Sequence, residues 1–194
     1  GLPPGVVSIV PGGTAAGQRL VTHPDVDKIA FTGSSAVGRW IGAECGKQLK
    51  RCSLELGGKA AAIVCADASL ERTVAGLKFS SFLNNGEACV AQTRVLAPRE
   101  RYDEIVTALA EMTSSLPVGD PDNANNYIGP LVSARHRERV ASYLDIGVAE
   151  GARVVAGGPG EVDGLTGHYV KPTLFADVDN RMRIAQEAIF GPVV

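Results

Sequence analysis

The chain has 194 residues, with 19 Lys and Arg against 21 Asp and Glu and a formal net charge of −2. So balanced a charge leaves no basic footprint for nucleic acid or for an anionic membrane surface. Hydrophobic residues make up 45% of the chain, enough for a buried core. No apolar run approaches the roughly 20 residues needed to span a bilayer, and the absence of tripeptide and heptad periodicity excludes collagen and coiled coil.

In chain order, residues 6–10 form an apolar run ended by Pro11-Gly12-Gly13, a first strand candidate, and a short helical piece follows through Leu20. Residues 28–32 read as a second strand stopped by Gly33. From Ser35 to Lys50, Val37, Trp40, Ile41, Cys45 and Leu49 recur at helical spacing, with Glu44 inside the stripe. Residues 52–56 read as a third strand before Gly57-Gly58. Strand, helix, strand, helix, strand in succession is the pattern of a parallel sheet with crossover helices, and the fold class is α/β.

A second unit begins near Lys59. Residues 60–65 read as a buried strand, and Asp67 or Ser69 can cap a helix through Phe82. Leu70, Val74, Leu77, Phe79, Phe82 and Leu83 make that helix apolar on several faces, which predicts burial. It leads into the loop Asn84-Asn85-Gly86-Glu87-Ala88-Cys89. A strand over 94–97 and an amphipathic helix marked by Tyr102, Ile105, Val106, Leu109 and Leu116 come next. A Pro-, Gly-, Asp- and Asn-rich loop over 117–126 precedes a helix carrying Val140, Leu144 and Val148, with further strands over 154–156 and 170–175.

The turn Gly33-Ser34-Ser35-Ala36-Val37-Gly38 joins a strand to a helix, where backbone N–H groups can face a phosphate. No Lys-Ser/Thr follows it and no GxGxxG is present, so it is neither a P-loop nor a dinucleotide fingerprint. The cysteines Cys45, Cys52, Cys65 and Cys89 show no zinc spacing, and no metal site is expected. Cys45 on a helix stripe and Cys52 and Cys65 in strands read as small core hydrophobes. Cys89, in a polar loop, reads either as a packed loop cysteine or as a thiolate placed to meet a substrate. Glu55 interrupts the apolar strand Leu54-Glu55-Leu56 and reads either as solvent-facing or as functional. His23, His136 and His168 share no motif spacing and read as surface or satisfied histidines. So few cysteines in a chain of this size favour a reducing compartment.

Taken in order, Phe31-Thr32-Gly33-Ser34, Leu54-Glu55-Leu56-Gly57-Gly58-Lys59, Gly86-Glu87-Ala88-Cys89 and Ile189-Phe190-Gly191-Pro192-Val193 resemble the NAD(P)-dependent aldehyde dehydrogenase superfamily. Pro4-Gly5-Val6-Val7 and Val118-Gly119-Asp120-Pro121 extend the resemblance over the whole chain. It implies an internal portion of a longer protein, with residues 1–57 part of a Rossmann-type NAD(P)-binding domain and residues 58–194 an incomplete α/β catalytic domain. It implies oxidation of an aldehyde to a carboxylic acid through a cysteine thiohemiacetal and thioester, with NAD or NADP as cofactor. Cys89 would be the nucleophile and Glu55 the general base. Cofactor-binding roles fall on Gly13, Gly17, Phe31, Thr32, Gly33, Ser34, Val37, Gly38, Leu56 and Gly57, with Phe190 at the nicotinamide end. A small-molecule aldehyde as partner, no nucleic acid or membrane, a homo-oligomeric whole protein and a cytoplasmic setting complete the expectation. A cysteine-dependent esterase, or a silent member of the fold, is the alternative.

Two residues depart from the pattern. Glu87 stands where Gln is usual, a change expected to be tolerated. Ala188 stands where a Glu usually holds the nicotinamide ribose, with Glu187 one place earlier. Strand neighbours face opposite ways and helical neighbours sit about 100° apart, so Glu187 is not expected simply to take over.

Overall fold

Two parallel strands organise the first unit, Gly1–Gly57, of a computed structural model that describes residues 1–194. Helix α1 (Thr14–Thr22) precedes β1 (Lys28–Gly33), and α2 (Ser35–Lys47) crosses over to β2 (Arg51–Leu56). The register sets Phe31 beside Leu54, Thr32 beside Glu55 and Gly33 beside Leu56. Ser34 starts α2 because its hydroxyl accepts from the Val37 N–H at 3.4 Å. Glu44, the acid inside the apolar stripe, is held by Lys47 at 2.6 Å. Val21, Ile41 and Cys45 are buried, with Ile29, Phe31, Trp40 and Leu54 packed against them.

Three expectations for this unit fail. Residues 6–10 form no strand, because nothing in the chain supplies a hydrogen-bonded neighbour, and Val6, Val7, Ile9 and Val10 are exposed. Helix α2 stops at Lys47, and Leu49 leaves the stripe in a left-handed conformation (φ 53°), almost fully exposed. Cys52 is exposed rather than core, since the first three residues of β2 all lie uncovered.

The second unit, Gly58–Val194, carries β3 (Ala61–Ile63) paired in parallel with β4 (Arg94–Leu96), joined through α3 (Leu70–Phe82). Ser69 rather than Asp67 caps α3, accepting from the Arg72 N–H at 3.4 Å. Helices α4 (Tyr102–Ser114) and α5 (Ala134–Ala149) follow, then β5 (Arg153–Ala156) antiparallel to β6 (Leu174–Ala176), and the short α6 (Arg183–Gln186). Of the strand expected over 170–175, only Leu174 and Phe175 enter β6, while Thr173 bridges Val193 in parallel. Cys65 lies beyond the end of β3 and is exposed, so it too is no core residue. Phe79 on α3 and Leu83 just past its end are also exposed, because α3 buries the face bearing Leu77 and Phe82 and leaves the other open.

One apolar cluster of this unit gathers Leu77 and Phe82 of α3 with Ile105, Leu109 and Met112 of α4. The other gathers Val140, Tyr143 and Leu144 of α5 with Phe175, Ile184 and Ile189. Each such aliphatic side chain contributes about 1.5–3 kcal/mol by leaving water. No helix is long and apolar enough to cross a membrane, and the four thiols are free.

Candidate functional site

The loop that carries Cys89 is built on left-handed backbone. After α3, Asn84 (φ 52°), Asn85 (φ 58°) and Gly86 (φ 69°) follow one another in that region. Asn tolerates it better than other side chains and Gly without penalty. Asn85 fastens the turn: its Oδ1 accepts from the Gly129 N–H at 2.8 Å, and its Nδ2 donates to the Pro130 carbonyl at 3.3 Å. A Cβ on Gly86 would run into the Gly191 carbonyl oxygen, and one on Gly191 would lie 2.7 Å from Val140 Cγ2. Past the loop, buried Ser81 donates to the Gln92 carbonyl at 2.6 Å, and the Gln92 N–H returns to Ser80 at 3.0 Å. Cys89 sits in the turn closed by the Ala91 N–H to Ala88 carbonyl bond of 3.1 Å; it is exposed, and its own N–H meets no acceptor in the chain.

Facing this loop is the segment that ends in Phe190, itself left-handed at φ 65°. Helix α5 grips it from one face. His136 Nε2 lies 2.8 Å from the Phe190 carbonyl, Arg139 donates to the Ala188 carbonyl at 2.6 Å, and the Tyr143 hydroxyl donates to Glu187 Oε2 at 2.6 Å. These three residues are spaced i, i+3 and i+7, one side of a helix. Arg183 also binds Glu187, at 3.1 and 3.2 Å, and with Tyr143 holds its carboxyl below the usual range. Glu187 is therefore committed to Arg183 and Tyr143.

Glu87, two residues before Cys89, has Oε1 buried without any hydrogen-bond partner, 3.9 Å from His136 Nδ1. Burial pushes this carboxyl up, and the nearby imidazole opposes the shift. His136 was legible only as a surface or satisfied histidine; the backbone carbonyl does satisfy one nitrogen, and the contact with Glu87 left no trace in the residue spacing.

In the first unit, Gly17, Phe31 and Val37 line one groove of about 720 Å³ together with Thr14, Trp40 and Ile41. Gly13 and Gly17 have open space where a Cβ would be. Gly33 lies under the Phe31 ring and Gly38 under Leu56, each with a side-chain carbon 2.5 Å from a would-be Cβ, so both glycines serve packing. Ser34 caps its own helix. Thr32, Gly33, Leu56 and Gly57 lie at or just after the ends of β1 and β2, and Glu55, beside Thr32, is exposed rather than enclosed in apolar surroundings. An open groove with apolar walls and the bare Gly17 on its lining fits a dinucleotide. Glu55 and these cofactor candidates belong to the first unit; Cys89 and Phe190 belong to the second.

Lys59 closes the motif that begins at Leu54. Burial and the neighbouring Arg94 lower its pKa to about 8. Arg94 donates to Asn180 Oδ1 at 2.7 Å, yet its Nε is buried without a partner. Both line a cavity of about 160 Å³ walled by Val95, Leu109, Phe175 and Ile189. No group of three His, Cys, Asp or Glu is arranged to hold a metal ion.

The profile of the aldehyde dehydrogenase family matches residues 1–194. The chain is 52% identical over its whole length to a geranial dehydrogenase of Castellaniella defragrans and 44% identical to a 5-carboxymethyl-2-hydroxymuconate semialdehyde dehydrogenase of Escherichia coli, spanning 40% and 42% of those proteins. Among solved structures it is similar to a Mycobacterium tuberculosis aldehyde dehydrogenase complexed with NAD+ (TM-score 0.96, 53% identity, all of this chain and 40% of that one). It is equally close in shape to an aldehyde dehydrogenase C mutant of Pseudomonas syringae complexed with NAD+ and octanal (TM-score 0.96, 39% identity, 100% and 40% covered). The chain thus spans about 40% of the length of these relatives, and over that span it belongs to the aldehyde dehydrogenase family.

Proposed function

We propose that the protein is an NAD(P)-dependent aldehyde dehydrogenase in which Cys89 is the nucleophile and Glu55 the general base. The observation that carries this reading is the Cys89 loop: an exposed thiol with an unused backbone N–H, on a turn fastened at Asn85 and Gly86. As thiolate, Cys89 adds to the carbonyl carbon, forming the C–S bond while the carbonyl electron pair moves to oxygen. The Cys89 N–H is free to donate to that oxyanion. When bound, NAD or NADP supplies the hydride acceptor that makes the adduct a thioester. Glu55 then takes a proton from the attacking water, the C–S bond breaks, and the carboxylic acid leaves with Cys89 restored as thiolate.

Gly13, Gly17, Phe31, Thr32, Gly33, Ser34, Val37, Gly38, Leu56 and Gly57 would hold the cofactor, supported by the groove on the first unit; Phe190 would meet its nicotinamide end. Residues 1–57 are accordingly read as part of the cofactor domain and 58–194 as catalytic. The relatives' names support an aldehyde as substrate class, and the free thiols a reducing, cytoplasmic setting. Homo-oligomeric assembly follows from the family resemblance.

The test is Cys89→Ser in the full chain, assayed by cofactor reduction with a panel of aldehydes. A hydroxyl is a far poorer nucleophile at neutral pH, so activity should fall by well over tenfold, more than about 1.4 kcal/mol of barrier. Retention of more than about a tenth of the rate would remove Cys89 as the nucleophile.

A further inference from the structure

The Cys89 loop and the Phe190 turn meet at one imidazole. His136 Nε2 lies 2.8 Å from the Phe190 carbonyl oxygen, an acceptor and nothing else, so in this contact Nε2 carries the hydrogen. In the neutral ring Nδ1 then presents a lone pair, and 3.9 Å from it stands Glu87 Oε1, buried and unpartnered. The two side chains are only 15% and 17% exposed, so water does little to relieve the contact. The His136 and Phe190 rings also stack, with centroids 6.3 Å apart.

A neutral imidazole has one N–H for two acceptors. It can hold the Phe190 carbonyl or it can turn its hydrogen to Glu87, but not both. One extra proton on the pair removes the conflict, because both ring nitrogens then donate and the Glu87 contact becomes charge-assisted. No other group relieves Glu87. Arg139, on the same face of α5, is engaged with the Ala188 carbonyl, Glu187 is held by Arg183 and Tyr143, and Cys89 is exposed. His136 is the neighbour that opposes the effect of burial on this carboxyl.

We propose that Glu87 and His136 are positioning residues that share one proton, and that this proton ties the Cys89 loop to the left-handed Phe190 turn. In its effect on catalysis the inference rests on the proposed function. When the proton leaves, the grip on Phe190 weakens and the strained turn is released. A Gln at position 87 can donate its amide hydrogen to Nδ1, so Glu87→Gln keeps both contacts at every pH.

The experiment compares wild type and Glu87→Gln in the full chain, reading kcat/KM for aldehyde oxidation and the thermal unfolding midpoint from pH 4.5, the ordinary carboxyl value above which Glu87 is raised, to about pH 9. The variant-to-wild-type ratio of kcat/KM should rise by about threefold or more with pH, and the variant's midpoint should gain on wild type over the same range. The sign follows from Glu87: a carboxyl raised by burial lends stability while protonated and loses it as pH rises through its folded value. In a His136→Gln background, whose amide can hold the Phe190 carbonyl without titrating, the ratio should become flat. Flat ratios and flat midpoint differences in the wild-type background overturn the shared proton. A midpoint difference that grows with pH beside a flat kcat/KM ratio overturns the tie to catalysis. A growing midpoint difference in a protein that oxidises no aldehyde supports the proton bridge and removes the proposed function instead.

Discussion

Lys59 carries an ammonium beside Arg94 with no carboxylate in reach, and the two cations share an apolar cavity. Its folded pKa, about 8 against an ordinary 10.5, states the penalty for keeping that charge. Between those two values the unfolded chain binds the proton more tightly, so this group makes stability rise with pH. Lys59→Met keeps most of the stem and removes the charge. We expect the variant to unfold later than wild type at pH 7, by no more than about 3 kcal/mol, with the advantage gone by about pH 10.5; urea midpoints at the two pH values check it. A constant advantage would mean that packing, not charge, limits the position. Nothing in the motif Leu54-Glu55-Leu56-Gly57-Gly58-Lys59 announces this, because the second cation lies on β4, 35 positions away in the chain.

At the scale of elements, α5 shows what periodicity can and cannot tell. Its stripe of Val140 and Leu144 was legible and is fully buried, while Val148, assigned to the same stripe, is half exposed at the helix end. Its polar face was not legible. His136, Arg139 and Tyr143 find their partners 54, 49 and 44 residues further on, beyond the reach of any local pattern. The same limit explains the strands: β1 and β2 could be read because a crossover helix joins them, whereas residues 6–10 carried a strand-like composition without a neighbour. Cys89 and Glu55 were singled out by their setting and weighted by a resemblance. Glu87, by contrast, reads in the sequence as a tolerated change, and only the fold brings its unpartnered oxygen to light. Tyr143→Phe isolates one grip of α5. Arg183 still binds Glu187, so the loss should be about 1 kcal/mol, read as a lower denaturant midpoint with an unchanged slope. A loss above about 3 kcal/mol would show that the hydroxyl alone keeps the Glu187 segment on the helix.

For the molecule as a whole, the two units differ in what they bury. The first has Val21, Ile41 and Cys45 as its buried apolar residues, against two clusters of ten each in the second. Amide hydrogen exchange should therefore be fast along α1, β1 and β2 and slow along α4 and α5, with protection in the second unit approaching its global stability; equal protection in the two would contradict this. Within the second unit, the approach of Val140 to Gly191 and of Gly191 to Gly86 leaves no side chain between helix, segment and loop. Three stretches distant in sequence are stacked in series without slack. A displacement that enters at one end has no soft element in which to dissipate. An added methylene in the core, as in Val140→Ile, would be handed on as backbone movement and arrive at the thiol of Cys89, three residues past Gly86, although no atom of Val140 is near it in the chain.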